Sequence, residues 1–186
     1  MRAKSASVNR SLPNLRLASW AERDLRLARR MYRGAQDKLF VRILIVASWL
    51  GDGIFWYALI AAMVLAGGTD GRDAAAHMAL AGLFNLAIYK WLKRSVSRKR
   101  PCDCYADLRA VARPLDTFSF PSGHVLHATT FTIILFSHYP GAGLALLPVI
   151  VLIALSRVAL GLHYPSDVVA GALIGGTVAA LMLALY

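Results

Sequence analysis

Charged residues are scarce in this chain of 186 residues, since Asp, Glu, Lys and Arg together make up only 17% of it. Soluble globular domains have about 25% charged and about 45–50% apolar residues. This sequence is 58% hydrophobic. The length favours one domain. The scarcity of charge argues against a soluble enzyme, a disordered chain or a multidomain assembly, and it predicts a small multi-span membrane protein.

Acidic residues are rarer still: 10 Asp and Glu stand against 21 Lys and Arg, which gives a formal net charge of +11. Because the positive charge shares a chain with apolar spans, anionic lipid is the expected partner and nucleic acid is not. Cysteine is nearly absent, with Cys102 and Cys104 in one C-x-C. Two neighbouring thiols do not need a disulfide and are too few for a zinc site, so we expect both to be free.

Long apolar stretches predict five membrane-spanning helices, because a span needs roughly 20 mostly apolar residues. They cover residues 51–68 with a start as early as Phe40, 74–89 extending towards Leu92, 122–138, 144–160 and 168–186. The predicted fold is an all-α integral membrane bundle of about five spans. Residues 39–186 form the membrane-embedded domain, and residues 1–38 form a basic segment with no apolar core of a signal peptide.

An amphipathic pattern runs through residues 15–33 at about 100° per residue. One half of the helical wheel carries Leu17, Trp20, Ala21, Leu25, Leu27, Ala28, Met31 and Tyr32, and the other carries Arg16, Glu22, Arg23, Arg26, Arg29, Arg30 and Arg33. Only Asp24 breaks the pattern. A basic amphipathic helix is typical of one that lies in the membrane surface against anionic headgroups. The alternative is a helix packed on the protein's own soluble face.

The basic residues are also distributed unequally between the two ends of the predicted spans. The N-terminal region, residues 93–121 and residues 156–167 share one side, which holds every Lys and Arg except Arg72. By the positive-inside rule that side is cytoplasmic. We therefore expect a multi-pass protein of a bacterial-type inner membrane.

Three clusters of polar residues lie at span ends on the basic side, at residues 93–101, 121–124 and 156–167. Lys93, Arg100 and Arg157 offer three positive charges for phosphate oxygens. Pro121 suits the first turn of a helix that Ser119 caps, which would direct the Ser122 and Gly123 amides outward as an anion site. These clusters predict a phosphoryl pocket that is built without metal ligands.

Two histidines accompany these cations, and phosphoryl transfer needs both a nucleophile and a proton donor. One imidazole must be neutral to attack, and the other must be protonated to donate. Asp167 follows His163 by four residues and is placed to accept the Nδ1 proton, which would leave Nε2 free to attack. The sequence thus predicts a catalytic group formed by His163, His124 and Asp167.

The patterns K-x6-R-P, P-S-G-H and S-R-x5-H-x3-D, all within residues 93–167, resemble the three signatures of the type 2 phosphatidic acid phosphatase superfamily. The resemblance implies a helical membrane bundle and a metal-independent lipid phosphatase without a cofactor. It implies that His163 is the nucleophile that forms a phosphohistidine, that Asp167 orients it and that His124 is the general acid. The phosphate-binding residues that it implies are Lys93, Arg100, Ser122, Gly123 and Arg157. Two departures are the count of five spans, where bacterial members commonly have six, and a charge bias towards the cytoplasm, where many members face outward.

Several interpretations stay open at this stage. Phosphatidic acid, phosphatidylglycerol phosphate and undecaprenyl diphosphate are all candidate substrates. A non-catalytic lipid-phosphate binder or transporter is one alternative, although binding alone needs no nucleophile, and a vanadate-dependent haloperoxidase is a less favoured one. Among single features, Asp52 is expected to cap or hydrogen-bond a helix end, and residues 94–99 are expected to face solvent or headgroups.

Overall fold

The computed structural model describes residues 15–185, and for residues 15–18 it describes the backbone only. The predictions for the Arg16 and Leu17 side chains, for residues 1–14 and for Tyr186 lie outside that range. The described chain forms eight helices and no strand: α1 (Leu15–Gly34), α2 (Lys38–Leu50), α3 (Ile54–Ala66), α4 (Gly68–Val96), α5 (Pro101–Cys104), α6 (Gly123–His138), α7 (Pro140–Ala159) and α8 (Pro165–Leu185). The predicted all-α fold is confirmed.

Local sequence signals set several of the helix boundaries. Asp37 caps α2, since its carboxylate accepts a hydrogen bond of 2.9 Å from the backbone nitrogen of Phe40. Pro140 and Pro165 occupy the first positions of α7 and α8, where a missing N–H costs nothing. Ser97 ends α4 in a left-handed conformation with φ of 48°. Local sequence therefore fixes one boundary each of α2, α4, α7 and α8.

Helix α6 lies at the centre of the bundle, where α4, α7 and α8 pack around it. Its buried residues lie on all sides of the helix, and Val125, Ala128, Phe131 and Ile134 belong to the main hydrophobic core. Helices α6 and α8 approach each other closely at Gly171, where an added Cβ would lie 2.6 Å from the Ser122 carbonyl oxygen. The start of α6 is thereby held tightly against the start of α8.

The membrane-spanning character of the described residues is concentrated in α7 and α8, which are each long and apolar enough to cross a membrane. Helices α2 and α3 can together form one more span, which is bent by 52° at residues 51–53. Helix α6 has only 16 residues, and the 29-residue α4 carries charged residues in its first and last turns. Length and composition therefore support two or three spans, where the sequence analysis counts five.

Helix α1 packs on α7 and α8, so the apolar half of its wheel is divided between two environments. Ala28 is buried against Val158 and Tyr164. Trp20 and Leu27 remain 67% and 46% exposed. The helix therefore lies on the protein along one edge, as in the alternative reading, and presents apolar side chains outward along the other.

Candidate active site

The predicted site residues lie at one end of the bundle, close to the ends of the helices that carry them. They are Lys93 in the last turn of α4, Arg100 before α5, Ser122, Gly123 and His124 at the start of α6, Arg157 in the last turn of α7, His163 in the turn before α8 and Asp167 in its first turn. All except Gly123 are buried. The fold thus gathers the three clusters that the sequence separates.

His163 lies in the turn between α7 and α8 with 2% of its surface exposed. Its Nε2 atom lies 3.1 Å from Nη1 of Arg100. Because a guanidinium only donates, Nε2 accepts this hydrogen bond and the ring proton is on Nδ1. Burial lowers the pKa of His163 well below its ordinary value, and the charges of Arg157 and Arg100 lower it further. The imidazole is therefore neutral, with its lone pair directed at Arg100.

Asp167 is fully buried, but it does not hydrogen-bond His163 as the sequence analysis expects. Its Oδ2 lies 3.7 Å from Nδ1 of His163, which is too long for a hydrogen bond. Its carboxylate accepts instead from Arg98 Nη1 at 2.7 Å and from the backbone nitrogen of Tyr164 at 2.9 Å. The contact between Asp167 and His163 is therefore electrostatic, and Nδ1 has no hydrogen-bond partner among the described residues.

Arg100 is clamped between two loops with 2% of its surface exposed. Its Nη1 donates to the carbonyl oxygen of Leu162 at 2.8 Å. Its Nε donates to the carbonyl oxygen of Asp116 at 3.0 Å, and its Nη2 donates to Oδ1 of Asp116 at 2.6 Å. These acceptors lie on several sides of the planar guanidinium group. Arg100 is thus fixed in orientation before any substrate binds.

Asp116, which no motif marks, is the shared counter-ion of the cationic cluster. Its carboxylate accepts hydrogen bonds from Lys93 Nζ at 2.7 Å, from Arg100 and from the hydroxyl of Tyr89. Burial raises the pKa of Asp116, but the hydrogen bonds from Lys93 and Tyr89 outweigh that effect and leave the pKa below its usual value. Asp116 is therefore ionised and holds Lys93 and Arg100 close together.

The start of α6 differs from the predicted anion site in two respects. Ser122, not Ser119, is the N-terminal capping position, and the Ser119 hydroxyl donates to the Lys99 carbonyl oxygen. The Ser122 amide donates to the Asp167 carbonyl oxygen at 3.0 Å, so it does not point outward. The buried Ser122 hydroxyl and Nε of Arg157 have no hydrogen-bond partner among the described residues. Both donors are therefore available to a phosphate oxygen.

His124 is paired with a residue that the sequence analysis assigns to a helix end. Its Nε2 lies 2.5 Å from Oδ1 of Asp52, in the break between α2 and α3. A Cβ at Gly51 would lie 2.6 Å from Cδ2 of His124, so only glycine allows the break to approach the ring this closely. The break between α2 and α3 therefore brings the Asp52 carboxylate against the His124 ring.

The described residues contain no group of three or more His, Cys, Asp or Glu side chains arranged to hold a metal ion. Cys102 and Cys104 are both free thiols, as their spacing predicts. Cys104 is exposed and Cys102 is half-buried in α5, beside the site.

Comparison with protein families identifies the superfamily. The PAP2 superfamily matches residues 73–186, more than half of the chain. The chain belongs to the PAP2 superfamily. The matched stretch begins near the start of α4 and contains all eight predicted site residues, whereas α1, α2 and α3 precede it.

Curated relatives of this PAP2 chain are lipid phosphatases. It is 42% identical over 101 residues to decaprenylphosphoryl-5-phosphoribose phosphatase of Mycobacterium tuberculosis (strain CDC 1551 / Oshkosh), covering 52% of each chain. The same enzyme of Mycolicibacterium smegmatis is 36% identical over 118 residues, or 62% of each chain. Lipid A 1-phosphatase of Rhizobium etli is 31% identical over 109 residues, 56% of this chain and 47% of that one. The chain spans about half the length of the curated relatives that it matches.

Two solved structures share the fold. Aquifex aeolicus LpxE superposes with a TM-score of 0.76 at 26% identity, covering 86% of this chain and 94% of that one. A transmembrane PAP2-type phosphatidylglycerolphosphate phosphatase from Bacillus subtilis gives a TM-score of 0.73 at 23% identity, covering 90% and 86%. The predicted membrane bundle is thereby confirmed, and the chain is a membrane protein.

An apolar cavity of about 530 Å³ lies between α3, α4 and α6 and reaches Gly123 and His124 at the start of α6. Most of its wall is hydrophobic, with polar groups near one end. It is lined by Trp56, Ile60, Met78, Leu83, Leu86, Leu115, Phe131, Tyr57, Tyr89, His127, Asp52 and His124, among others. Ligand sites in proteins are commonly apolar with a few converging polar groups, and this cavity has that character.

Acidic partners are the functional candidates that the sequence reasoning missed. Asp116, Asp52 and Asp24 each contact a basic or imidazole side chain of the site or its border. Arg98, expected in a solvated run, instead binds the Asp167 carboxylate. One signal was available, since Asp24 breaks the amphipathic pattern of α1.

Proposed function

We propose that this PAP2 protein is a lipid phosphatase that hydrolyses the phosphate or diphosphate ester of a membrane lipid through a phosphohistidine on His163. The observation that carries the proposal is the buried imidazole of His163, whose Nε2 lies 3.1 Å from Nη1 of Arg100. A neutral nitrogen among fixed cations suits attack on a phosphate, because the cations offset the charge that develops on its oxygens. Lys93 and Arg157 supply further positive charge, so this chemistry does not require a metal.

The reaction divides into two displacements at phosphorus. In the first, Nε2 of His163 attacks, the bond between phosphorus and the lipid oxygen breaks, and His124 donates a proton to the departing oxygen. In the second, water attacks the phosphohistidine while His124 accepts a proton, and inorganic phosphate leaves. In the first displacement, Arg100 gives up its hydrogen bond to Nε2 of His163 and donates to a phosphate oxygen instead. Its other hydrogen bonds hold the guanidinium in place during this exchange.

Asp52 has a defined part in this scheme, because the first step requires a protonated His124. Its carboxylate lies 2.5 Å from His124 Nε2 and stabilises the imidazolium form. The same contact fixes the ring at the end of the apolar cavity. We therefore propose that Asp52 positions His124 and helps to keep its proton available.

Replacing Asp52 by asparagine is expected to lower kcat by about 10- to 100-fold, because the neutral amide stabilises an imidazolium less well. The alkaline limb of the rate against pH is expected to move to lower pH. Asp73→Asn, at the start of α4 and exposed, is the matched control and should behave as wild type. Wild-type rate and pH profile in Asp52→Asn would contradict the assignment.

The cavity indicates the substrate class, since its apolar wall fits a lipid tail and its polar end holds His124. A tail between α3 and α4 would place the phosphate end towards the cationic cluster. Phosphatidic acid, phosphatidylglycerol phosphate and undecaprenyl diphosphate are candidates from the sequence. The names of the relatives add prenyl-linked phosphoribose and the lipid A 1-phosphate to the panel.

The proposal is tested by phosphate release from this panel, with detergent-purified protein in the presence of EDTA. We expect phosphate release from at least one of these lipids, and this release should persist in the presence of EDTA. Binding of inorganic phosphate without release from any lipid would favour the binder or transporter. Peroxide-dependent halide oxidation with added vanadate would favour the haloperoxidase.

We further propose that the site faces the cytoplasm at the inner membrane, because the predicted spans assign every Lys and Arg except Arg72 to its side. Exposed Cys104 allows a direct test in a Cys102→Ser background. A membrane-impermeant maleimide should label Cys104 in inverted vesicles and leave it unlabelled in intact spheroplasts. Labelling in intact spheroplasts would place the site on the outer side.

Helix α1 is proposed to rest on anionic headgroups with the edge that faces away from the bundle. Trp20 and Leu27 are exposed on that edge, and Arg23 and Arg26 extend beside them. Such a surface combines apolar insertion with attraction to negative lipids. Hydrogen exchange in α1 should be slower in nanodiscs of phosphatidylglycerol than in phosphatidylcholine, and equal rates would contradict the contact.

A further inference from the structure

Asp24 is the one residue that breaks the amphipathic pattern of α1, and the structure shows that it faces the protein. Its Oδ2 accepts a hydrogen bond of 2.8 Å from Nη2 of Arg98. Its Oδ1 accepts one of 3.0 Å from the backbone nitrogen of Ser166, and the Ser166 hydroxyl donates to Oδ2. One carboxylate of α1 thus binds both the loop after α4 and the start of α8.

Arg98 continues this network from Asp24 to the proposed active site. Its Nη1 donates to Oδ1 of Asp167 and to the Ser166 hydroxyl oxygen, both at 2.7 Å. Its guanidinium lies 3.8 Å from the centre of the Tyr164 ring. The two ends of one rigid guanidinium therefore bridge a carboxylate on α1 and a carboxylate on α8.

As a result, a residue outside α8 holds the first turn of that helix in place. Backbone N–H groups in a first turn have no partner within their own helix, and negative charge is favourable there. Asp24 supplies both an acceptor and a negative charge to the Ser166 amide. The next residue is Asp167, whose Oδ2 lies 3.7 Å from His163. The position of Asp167 thus depends on a residue of α1.

Attachment of α1 to the bundle does not require this network. Ala28 is buried against Val158, and Arg29 forms a two-point ion pair with Asp107 at 2.8 and 3.1 Å. The Arg29–Asp107 pair involves neither Asp167 nor a residue that contacts it, whereas the apolar contact of Ala28 includes Tyr164, whose backbone nitrogen donates to Asp167. The Arg29–Asp107 pair is therefore a docking contact of α1 that is separate from the Asp24 network.

We propose that Asp24 is a positioning residue of the active site, which acts through Arg98 and Ser166 to hold the Asp167 carboxylate beside His163. The inference rests on the proposed phosphatase function. Asp24 precedes the stretch that matches the PAP2 superfamily, so the motifs do not account for it. Helix α1 is thereby a working part of the site as well as a surface helix.

The test compares kcat and KM for lipid phosphate in wild type, Asp24→Asn, Arg98→Gln, the double variant and Asp107→Asn. Asp107→Asn is the matched control, because it removes a docking contact of α1 outside the network. We expect kcat to fall about tenfold in Asp24→Asn with KM within about twofold, because a charge-assisted hydrogen bond is lost away from the substrate. The double variant should fall no further than the more affected single variant, since both act on one network.

Three results would overturn the inference: Asp24→Asn equal to Asp107→Asn, losses that multiply in the double variant, or a loss that vanishes after correction for the folded fraction. Hydrogen exchange at the Ser166 amide gives a readout that needs no turnover. It should be faster in Asp24→Asn than in Asp107→Asn. If wild type releases no phosphate, the proposed function fails, and this exchange comparison alone decides whether Asp24 positions the turn.

Discussion

His163→Ala is expected to lower phosphate release by at least about 1000-fold, because the variant lacks the atom that forms the bond to phosphorus. The effect should be on kcat, since Lys93, Arg100 and Arg157 remain to bind the phosphate. A radioactive phosphate label should be trapped on wild type and be absent from the variant. As a phosphoramidate, that label should be lost in acid and be retained in alkali.

His138→Ala is the control for His163, because His138 lies at the opposite end of α6 against His77. It should release phosphate at the wild-type rate once folding is verified by thermal unfolding. Release by His163→Ala within tenfold of wild type would mean that another group is the nucleophile. A label that is stable in acid would point to a carboxylate or hydroxyl in its place.

Arg100→Lys is expected to lower kcat/KM by about 100-fold or more although the charge is kept, because an ammonium cannot reproduce the fixed fork. Arg100 donates to Leu162, to Asp116 and to His163, and those acceptors lie in different directions. Arg94→Lys, in the same basic run but exposed, should have no effect. Equal loss in both variants would argue against a specific role for Arg100.

The charge of Arg100 is tested separately with Arg100→Met. Arg100 is one of the cations that lower the pKa of His163, so its removal raises that pKa. Attack requires neutral His163, and the acid limb of the rate against pH should therefore move to higher pH. The acid limb of the rate against pH should be the same in Arg100→Lys as in wild type. An unchanged limb in Arg100→Met would mean that Arg100 does not face His163 during turnover.

The sequence predicted those parts of the molecule that repeat a local pattern or a motif. Low charge and long apolar stretches led to the all-α membrane bundle, although the structure supports two or three spans by length and composition where the pattern suggested five. The motifs led to the eight site residues, which the fold gathers at one end. Their individual roles stay predictions, and the geometry alters three details: the cap expected at Ser119, the direction of the Ser122 amide and the Asp167 contact with His163.

The partners of the acidic residues could not be predicted, because an isolated aspartate, even one that breaks a pattern as Asp24 does, carries no signal of what it contacts. Asp52 pairs with a histidine 72 residues later, and Asp24 pairs with a serine 142 residues later. Whether a lone carboxylate faces headgroups, solvent or a buried cation depends on which helices meet at its position. That depends on packing over the whole chain, including the close approach of α8 to α6 at Gly171.

By itself, the sequence determined the fold class and supplied the cations and histidines of the candidate site, because composition and spacing are properties of the chain. The tertiary structure alone decided how those groups are paired. It placed Asp116 between Lys93 and Arg100, Asp52 on His124, and Asp24 through Arg98 on Asp167. The physical reason is that buried cations require counter-ions within a few ångströms, and only the packed bundle determines which carboxylates come that close.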